Sequence, residues 1–259
     1  MSKAIIAMAV HDTIENGRTD LTSETIYNLN RTGITSNYDV YCIDNGSCDA
    51  TKRVLKYHSQ SGHIKLITNE INIGTAEAVN KAWKYRKPYQ HAVKMDNDVV
   101  IHSSTWMEEM IEAIEREPKI GIVGLKRKDC WERPDHPTAD WRSELLMLPQ
   151  QPGQRWMIAE RCHHIIGTCQ MYSASLLEQI GYLYQPSLYG YDDVLASHRS
   201  TAAGFWNVFL PHIEIDHIDP GGTEYQSWKE KHSSEVTAEM IKLAHGYLKG
   251  EVSVYYEPK

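Results

Sequence analysis

The chain predicts an α/β fold with a mixed, mainly parallel sheet flanked by helices. Three observations carry that expectation. Short apolar runs of strand length alternate with amphipathic stretches of helix length across the first half. Capping residues stand where the helical stretches begin, and acidic residues gather where the apolar runs end.

Ala4–Val10 is the first apolar run. A single nearby lysine and an early interruption fit a buried strand and not a signal peptide. Thr22–Arg31 reads as a helix with Thr22 as cap and Thr25 in its first turn. Tyr38–Ile43 is the next strand, followed by a helix over Asp49–Ser59 capped by Ser47 or Asp49. Ile64–Thr68, a helix over Thr75–Tyr85 and the strand Ala92–Met95 complete the regular part. A helix over Ser104–Arg116 and a strand over Ile120–Leu125 follow. Periodicity fades from Lys126 to Arg161, where proline, tryptophan and arginine collect, so an irregular insertion or acceptor lid is expected there. Order returns with a strand over His164–Ser173, a helix over Ala174–Ile180 and a strand over Trp206–Leu210. Ser227–Leu248 gives a C-terminal amphipathic helix or helix pair. Its apolar positions Val236, Met240, Leu243, Ala244 and Tyr247 can dock on the domain or pair with another chain. The expected division is one domain over 1–221 and a helical extension over 222–259.

With 259 residues and 41% apolar content, the chain can bury a sizeable core. A net charge of −7 excludes a chain-wide attraction for nucleic acid and leaves only a local basic face open. Five cysteines, an odd count without a C-x-x-C, predict reduced thiols and a cytoplasmic setting. No apolar run reaches membrane-spanning length. Cys130, His136, Cys162, His163 and His164 fit no standard zinc spacing.

Chemistry concentrates in five segments. Asp96-Asn97-Asp98 places two carboxylates at the end of the Ala92–Met95 run. Strand alternation would point both the same way, where two hard oxygens suit Mg2+ or Mn2+. A turn is the competing reading, since Asp and Asn favour turns for local reasons. Asp44-Asn45-Gly46-Ser47 stands at a strand end before a helix, where an aspartate can meet a nucleobase or ribose, or simply close the turn. In Asn72-Ile73-Gly74-Thr75, Gly74 would let the backbone approach a phosphate or sugar before a helix. Tyr189-Gly190-Tyr191-Asp192-Asp193 combines aromatic rings with adjacent carboxylates, a pattern that can set one general base in a sugar-sized pocket. His217, closing the alternating Ile213–His217 stretch, is a candidate metal ligand or phosphate contact.

Taken in order, these segments resemble a family 2 glycosyltransferase of the nucleotide-diphospho-sugar type, the GT-A fold, in particular its rhamnosyltransferase-like branch. The matching residues are Asp44 to Thr51, Asn72 to Asn80, Asp96 to Asp98, Gly167 to Gly181, Asp192-Asp193 with Arg199, Ala203-Gly204-Phe205, Pro211 and His217. The resemblance implies a nucleoside diphosphate sugar donor, with a UDP- or dTDP-sugar compatible with Asp44, and an inverting single displacement. Donor contacts would come from Ala9, Val10, His11, Asp44, Asn45, Asn72, Gly74, Asn80, Asp96 and Asn97. Asp98, Asp96 and His217 would hold Mn2+ or Mg2+. Asp193 would be the catalytic base, although Asp192 replaces the family's usual Glu and leaves either residue open. Leu195 stands where a second acid is often found, and Val10-His11-Asp12 departs from the family's usual first turn.

Trp131, Trp141 and Trp156 of the insertion, with Tyr189 and Tyr191, are the expected acceptor surface. They suit a glycan or lipid-linked glycan first and modified bases of DNA second. Filling a satellite core is the competing role for the tryptophans. A nucleotidyltransferase would want a Gly-rich basic loop after the first strand, which Ala9–Asn16 does not supply. A non-catalytic sugar-nucleotide or glycan-binding module would not need a base. Oligomeric state is not legible.

Overall fold

A computed structural model describes residues 2–131, 142–221 and 223–258. The elements are β1 (Ala4–Val10), α1 (Thr19–Arg31), α2 (Ile34–Asn37), β2 (Asp39–Asn45), α3 (Asp49–Gln60), β3 (Lys65–Asn69), α4 (Thr75–Trp83) and β4 (His91–Met95). They continue with β5 (Val99–Ile101), α5 (Trp106–Arg116), β6 (Ile120–Arg127), α6 (Lys128–Trp131), β7 (Arg142–Met147), β8 (Ile158–Cys162) and β9 (Cys169–Tyr172). The last are α7 (Ala174–Ile180), α8 (Asp192–Ala202), β10 (Trp206–His217) and α9 (Thr223–Lys249).

The strands form one mixed sheet in the order β3-β2-β1-β4-β9-β6-β10-β8-β7, with β5 pairing β10. β3, β2, β1 and β4 run parallel, as the alternation of strands and helices in the first half requires. β9 enters antiparallel between β4 and β6. β1 shows why the sheet is covered on both sides. Ala4, Ile6, Met8 and Val10 join one core with α1, α3 and α5. Ile5 and Ala7 join a second core with α4 and α7. Alternate residues of a strand face opposite ways, so an unbroken apolar run needs two apolar layers.

Several local expectations change. α1 starts at Thr19, so Thr22 and Thr25 lie inside the helix. Thr25 Oγ1 accepts from the Val99 N–H (2.9 Å) and Asn28 Oδ1 from the Ile101 N–H (3.0 Å), which fastens β5 to α1. The stretch 142–162 contains a paired hairpin, β7–β8, along the sheet edge in place of an irregular lid. The expected strand over His164–Ser173 shrinks to β9, and the residues before it form a loop that enters the site. β10 runs on past Leu210 to His217, absorbing Pro211 at a shift of register between Leu210 and Glu214.

The C-terminal segment is a single helix. Met240, Leu243, Ala244 and Tyr247 of α9 pack with Leu195 of α8. The chain then returns to the domain, where Tyr256 exchanges backbone hydrogen bonds with Ile180 and Tyr182. Arg199 ties this junction together from a fully buried position. Its guanidinium donates to the carbonyls of Val254, Tyr182 and Ile180. Arg199 therefore has an architectural task, downstream of the carboxylate pair it accompanies in sequence. Among the described residues no helix is long and apolar enough to cross a membrane.

Candidate active site

A cavity of about 710 Å3 opens at the carboxyl edge of the sheet. In parallel sheets this edge collects ligands because strand ends and the following loops converge there. β1 delivers Ala9 and His11, β2 delivers Asn45, and the turn after β4 delivers Asp96, Asn97 and Asp98. The end of β10 brings His217, the start of α8 brings Asp192 and Asp193, and the first turns of α9 bring Trp228 and Lys229.

The two carboxylates of the Asp-Asn-Asp turn part company. The strand ends at Met95, so alternation no longer aligns the side chains beyond it. Asp96 Oδ1 pairs with Lys94 Nζ at 3.0 Å. Asp98 is buried and has other partners, with His217 Nε2 at 3.2 Å and Arg18 Nη2 at 2.5 Å from Oδ2. Burial pushes the Asp98 carboxyl up, but the His217 hydrogen bond and charge and the Arg18 guanidinium outweigh it and hold it well below the usual carboxylate range. Arg18 also pairs with Asp219. Among the described residues, the one group placed to hold a metal ion is Asp98, His217 and Asp219, whose ligand atoms lie within 4.8 Å of one another. Asp96 is not one of these three, although it lines the same cavity. Asn97 turns inward and donates to Asp12 and Thr22 while still lining the cavity.

Across the cavity, Asp192 and Asp193 open α8, where the helix N-terminus favours negative charge. Tyr191, the residue before them, has φ of 66°, a left-handed conformation rare outside glycine that sets the entry angle of the pair. Asp193 Oδ2 accepts from the Gly167 N–H (2.8 Å) and stands 3.2 Å from His164 Nε2. Its burial pushes the carboxyl up, but His164, then Lys94 and the Val194 amide, bring it down to about 2. Asp192 differs. Its burial, with help from Asp193 and Asp96, raises its carboxyl despite the nearby Lys94. Lys94 links the two sides of the site, reaching Asp192 at 3.4 Å, Asp96 and the Gly167 carbonyl (2.7 Å). Gly167 leaves room for both groups: a Cβ there would stand 2.7 Å from Lys94 Nζ and 3.2 Å from Asp193 Oδ2, so a side chain would displace the lysine end.

Several residues expected to contact the donor make hydrogen bonds within the fold. Asp44 is buried, its Oδ1 accepts from the Ser47 N–H (2.8 Å), and it does not line the cavity. The turn reading of that segment describes what is seen. Val10 is fully buried in the core and does not line the cavity. Asn80 exchanges hydrogen bonds with the backbone of Leu183. Gly74 takes φ of 89°, and Gln185 Oε1 accepts from the Ala76 N–H, one of the first amides of α4. Asn72 and Asn45 line the cavity and bond to each other through Asn45 Nδ2 (2.8 Å).

Of the expected acceptor residues, Tyr189 and Tyr191 line the cavity. Trp156 does not. It is 68% exposed, on a loop that Arg155 fastens to Glu109 and Glu112 of α5. Trp141 and the side chain of Trp131 lie outside the described residues. The ring that stands in the cavity is Trp228, 5.6 Å from Tyr189 and 6.3 Å from His11 between centroids. Sequence reasoning missed Trp228, Arg18, Asp219, Lys229 and His164. Lys94 carried a signal: a lysine inside an apolar strand is rarely buried without a partner. Asp219, two residues after His217, carried a weaker one.

The family profile described as Glycosyl transferase family 2 matches residues 17–181. No curated protein matches the sequence. Among solved structures, the chain is similar to the mannosyltransferase PcManGT from Pyrobaculum calidifontis in complex with GDP-Man and Mn2+. That similarity has 14% identity and a TM-score of 0.68 and covers 97% of this chain and 70% of that one. It is also similar to S. aureus TarS 1-349, with 14% identity and a TM-score of 0.61, over 95% of this chain and 65% of that one. GalNAc-T7 with UDP, GalNAc and Mn2+ gives 14% identity and a TM-score of 0.59, over 83% of this chain and 43% of that one. The chain thus spans less than two thirds of the length of TarS 1-349 and less than half that of GalNAc-T7. At such identities the structural likeness speaks to the fold, which is GT-A. The family match extends over more than half of the sequence, and on it the chain belongs to glycosyl transferase family 2 and is a glycosyltransferase.

Proposed function

We propose that the protein moves a sugar from a nucleoside diphosphate donor to a hydroxyl of a glycan or lipid-linked glycan, with inversion at the anomeric carbon. The observation that carries this reading is the single cavity joining the Asp98–His217–Asp219 cluster to the Asp192–Asp193 pair. A diphosphate leaving group needs positive charge, and a sugar hydroxyl needs a base; the two ends of the cavity answer those needs separately.

The cluster fits a divalent ion. Asp98 Oδ1 is buried without a hydrogen-bond partner, and carboxylate oxygens with an imidazole suit Mn2+ or Mg2+. Asp98, His217 and Asp219 would hold the ion, which would stabilise the negative charge developing on the departing diphosphate. Mn2+ complexes among proteins of similar fold support this choice. Asp193 takes the proton of the attacking hydroxyl. The Gly167 amide and His164 fix its orientation, and Lys94 keeps Asp192 and Asp96 from repelling it. Asp192, deeper in the site, balances Lys94. Trp228 and Tyr189 offer apolar ring faces on which a sugar can stack. The acidic overall balance favours a carbohydrate acceptor over DNA. The buried free thiols Cys42 and Cys169 support a cytoplasmic setting.

The test is a transfer assay with Asp193→Asn and Asp192→Asn. Asp193→Asn should lower kcat by about 100-fold or more while donor binding holds. A folded Asp193→Asn enzyme with full turnover would overturn the base assignment.

A further inference from the structure

The positive charge beside the candidate metal ligands is unusual in its placement. Arg18, at the start of α1, is 4% exposed and forks across two carboxylates, Asp98 through Nη2 and Asp219 through Nη1. These are two members of the group placed to hold a metal, and the third, His217, also points its Nε2 at Asp98 Oδ2. Lys229 of α9 stands a further 3.9 Å from Asp219 Oδ2. The ligand set is thus already neutralised by the chain itself. A guanidinium and a divalent ion cannot both be close partners of the same two carboxylates in a buried site without strong mutual repulsion. Arginine's planar fork fits a diphosphate as well as it fits two carboxylates.

Resting on the metal-dependent reading above, we propose that Arg18 is the resident counter-cation of the Asp98–His217–Asp219 cluster, exchanged for the divalent ion when a diphosphate arrives to take the guanidinium. The site then admits its metal together with the donor. Metal binding alone is weak because it must strip Arg18 of its partners; a diphosphate supplies new ones. By linkage, the same factor by which diphosphate tightens metal binding is the factor by which metal tightens diphosphate binding. Arg18 is a positioning and coupling residue in this scheme, and its loss should change the coupling between two ligands, not merely the strength of one.

The experiment measures binding of Mn2+ by electron paramagnetic resonance, with and without inorganic pyrophosphate, using free-ion concentrations corrected for chelation in solution. Wild type, Arg18→Gln and Arg18→Lys are compared, with Asp98→Asn as the control for the site. In the wild type, pyrophosphate should tighten Mn2+ binding by about tenfold or more, the range of ordinary site–site coupling. Arg18→Gln should bind Mn2+ alone about tenfold more tightly than wild type, and pyrophosphate should then add little. Arg18→Lys keeps the charge but cannot span both carboxylates, so it should fall between the two and serves if the glutamine variant does not fold. Mn2+ binding in both folded variants no tighter than in wild type, with Asp98→Asn still abolishing it, would overturn the exchange and leave the metal site standing. No Mn2+ binding in any of the proteins, with or without pyrophosphate, would overturn the metal-dependent reading as well.

Discussion

At the scale of single residues, the site works by separating charges that share a small volume. Asp193 and Asp192 are neighbours in sequence, yet one carboxyl is lowered to about 2 and the other raised. The difference comes from His164 and the Gly167 and Val194 amides on one side and deep burial on the other. The consequence for stability has a definite sign. A carboxylate whose folded value is depressed below its ordinary 3.8 stabilises the fold at pH values above 3.8, and this contribution is lost as pH falls toward 2. Chemical denaturation from pH 5 to pH 2 should therefore show the stability gap between wild type and His164→Gln narrowing as the solution is acidified. A gap that stays constant would place the His164 contribution elsewhere. Arg199 is a second residue-scale case. Removing its three carbonyl contacts with Arg199→Met should cost about 2 kcal/mol or more of unfolding free energy, since the Val254 and Tyr182 carbonyls would lose their donor while Ile180 keeps the Tyr256 N–H. The measurement is a urea midpoint.

At the scale of elements, α9 matters most. Its C-terminal half packs on α8, whereas its first turns line the cavity with Trp228, Lys229 and Ser233. One helix thus joins the structural core to the cavity. Trp228→Ala should raise the acceptor KM by about tenfold, in line with the loss of one stacking contact, and leave the donor KM and thermal midpoint close to wild type. An unchanged acceptor KM would mean that the ring serves only its contacts with His11, Tyr189 and His232. The β4–β5 turn makes the complementary point. β5 is short and hangs between α1 and β10, so the Asp98 turn is held by two elements distant in sequence. That convergence explains why a turn-forming triplet holds Asp98 in one place.

At the scale of the whole molecule, the sheet gathers the Asp98 cluster, the Asp192–Asp193 pair and Trp228 around one cavity, so binding there should stabilise the entire domain. Under the proposed function, a saturating nucleotide sugar with Mn2+ at about 100 times its Kd should add about 2.7 kcal/mol. For a domain of this size that is a thermal shift of about 5–10 °C, reversed by EDTA. A panel of nucleotide sugars read this way identifies base, sugar and metal requirement together; a shift unaffected by EDTA would refute the metal's part.

The sequence by itself determined the α/β class, the first four parallel strands and the segments bearing Asp98, Asp193 and His217. Period, capping and strand-end acidity are local signals, and a chain reader can see them. Only the tertiary structure decided which of those residues meet. It turned Asp96 toward Lys94 and Asp98 toward Arg18, bonded Asp44 to Ser47 and Asn80 to Leu183, kept Trp156 away from the cavity and put Trp228 into it. The physical reason is sequence distance. Arg18 and Asp219 lie 201 positions apart, and Asn80 and Leu183 lie 103 apart. No periodicity encodes such meetings; they follow from the order of strands in the sheet and from the return of the C-terminal helix.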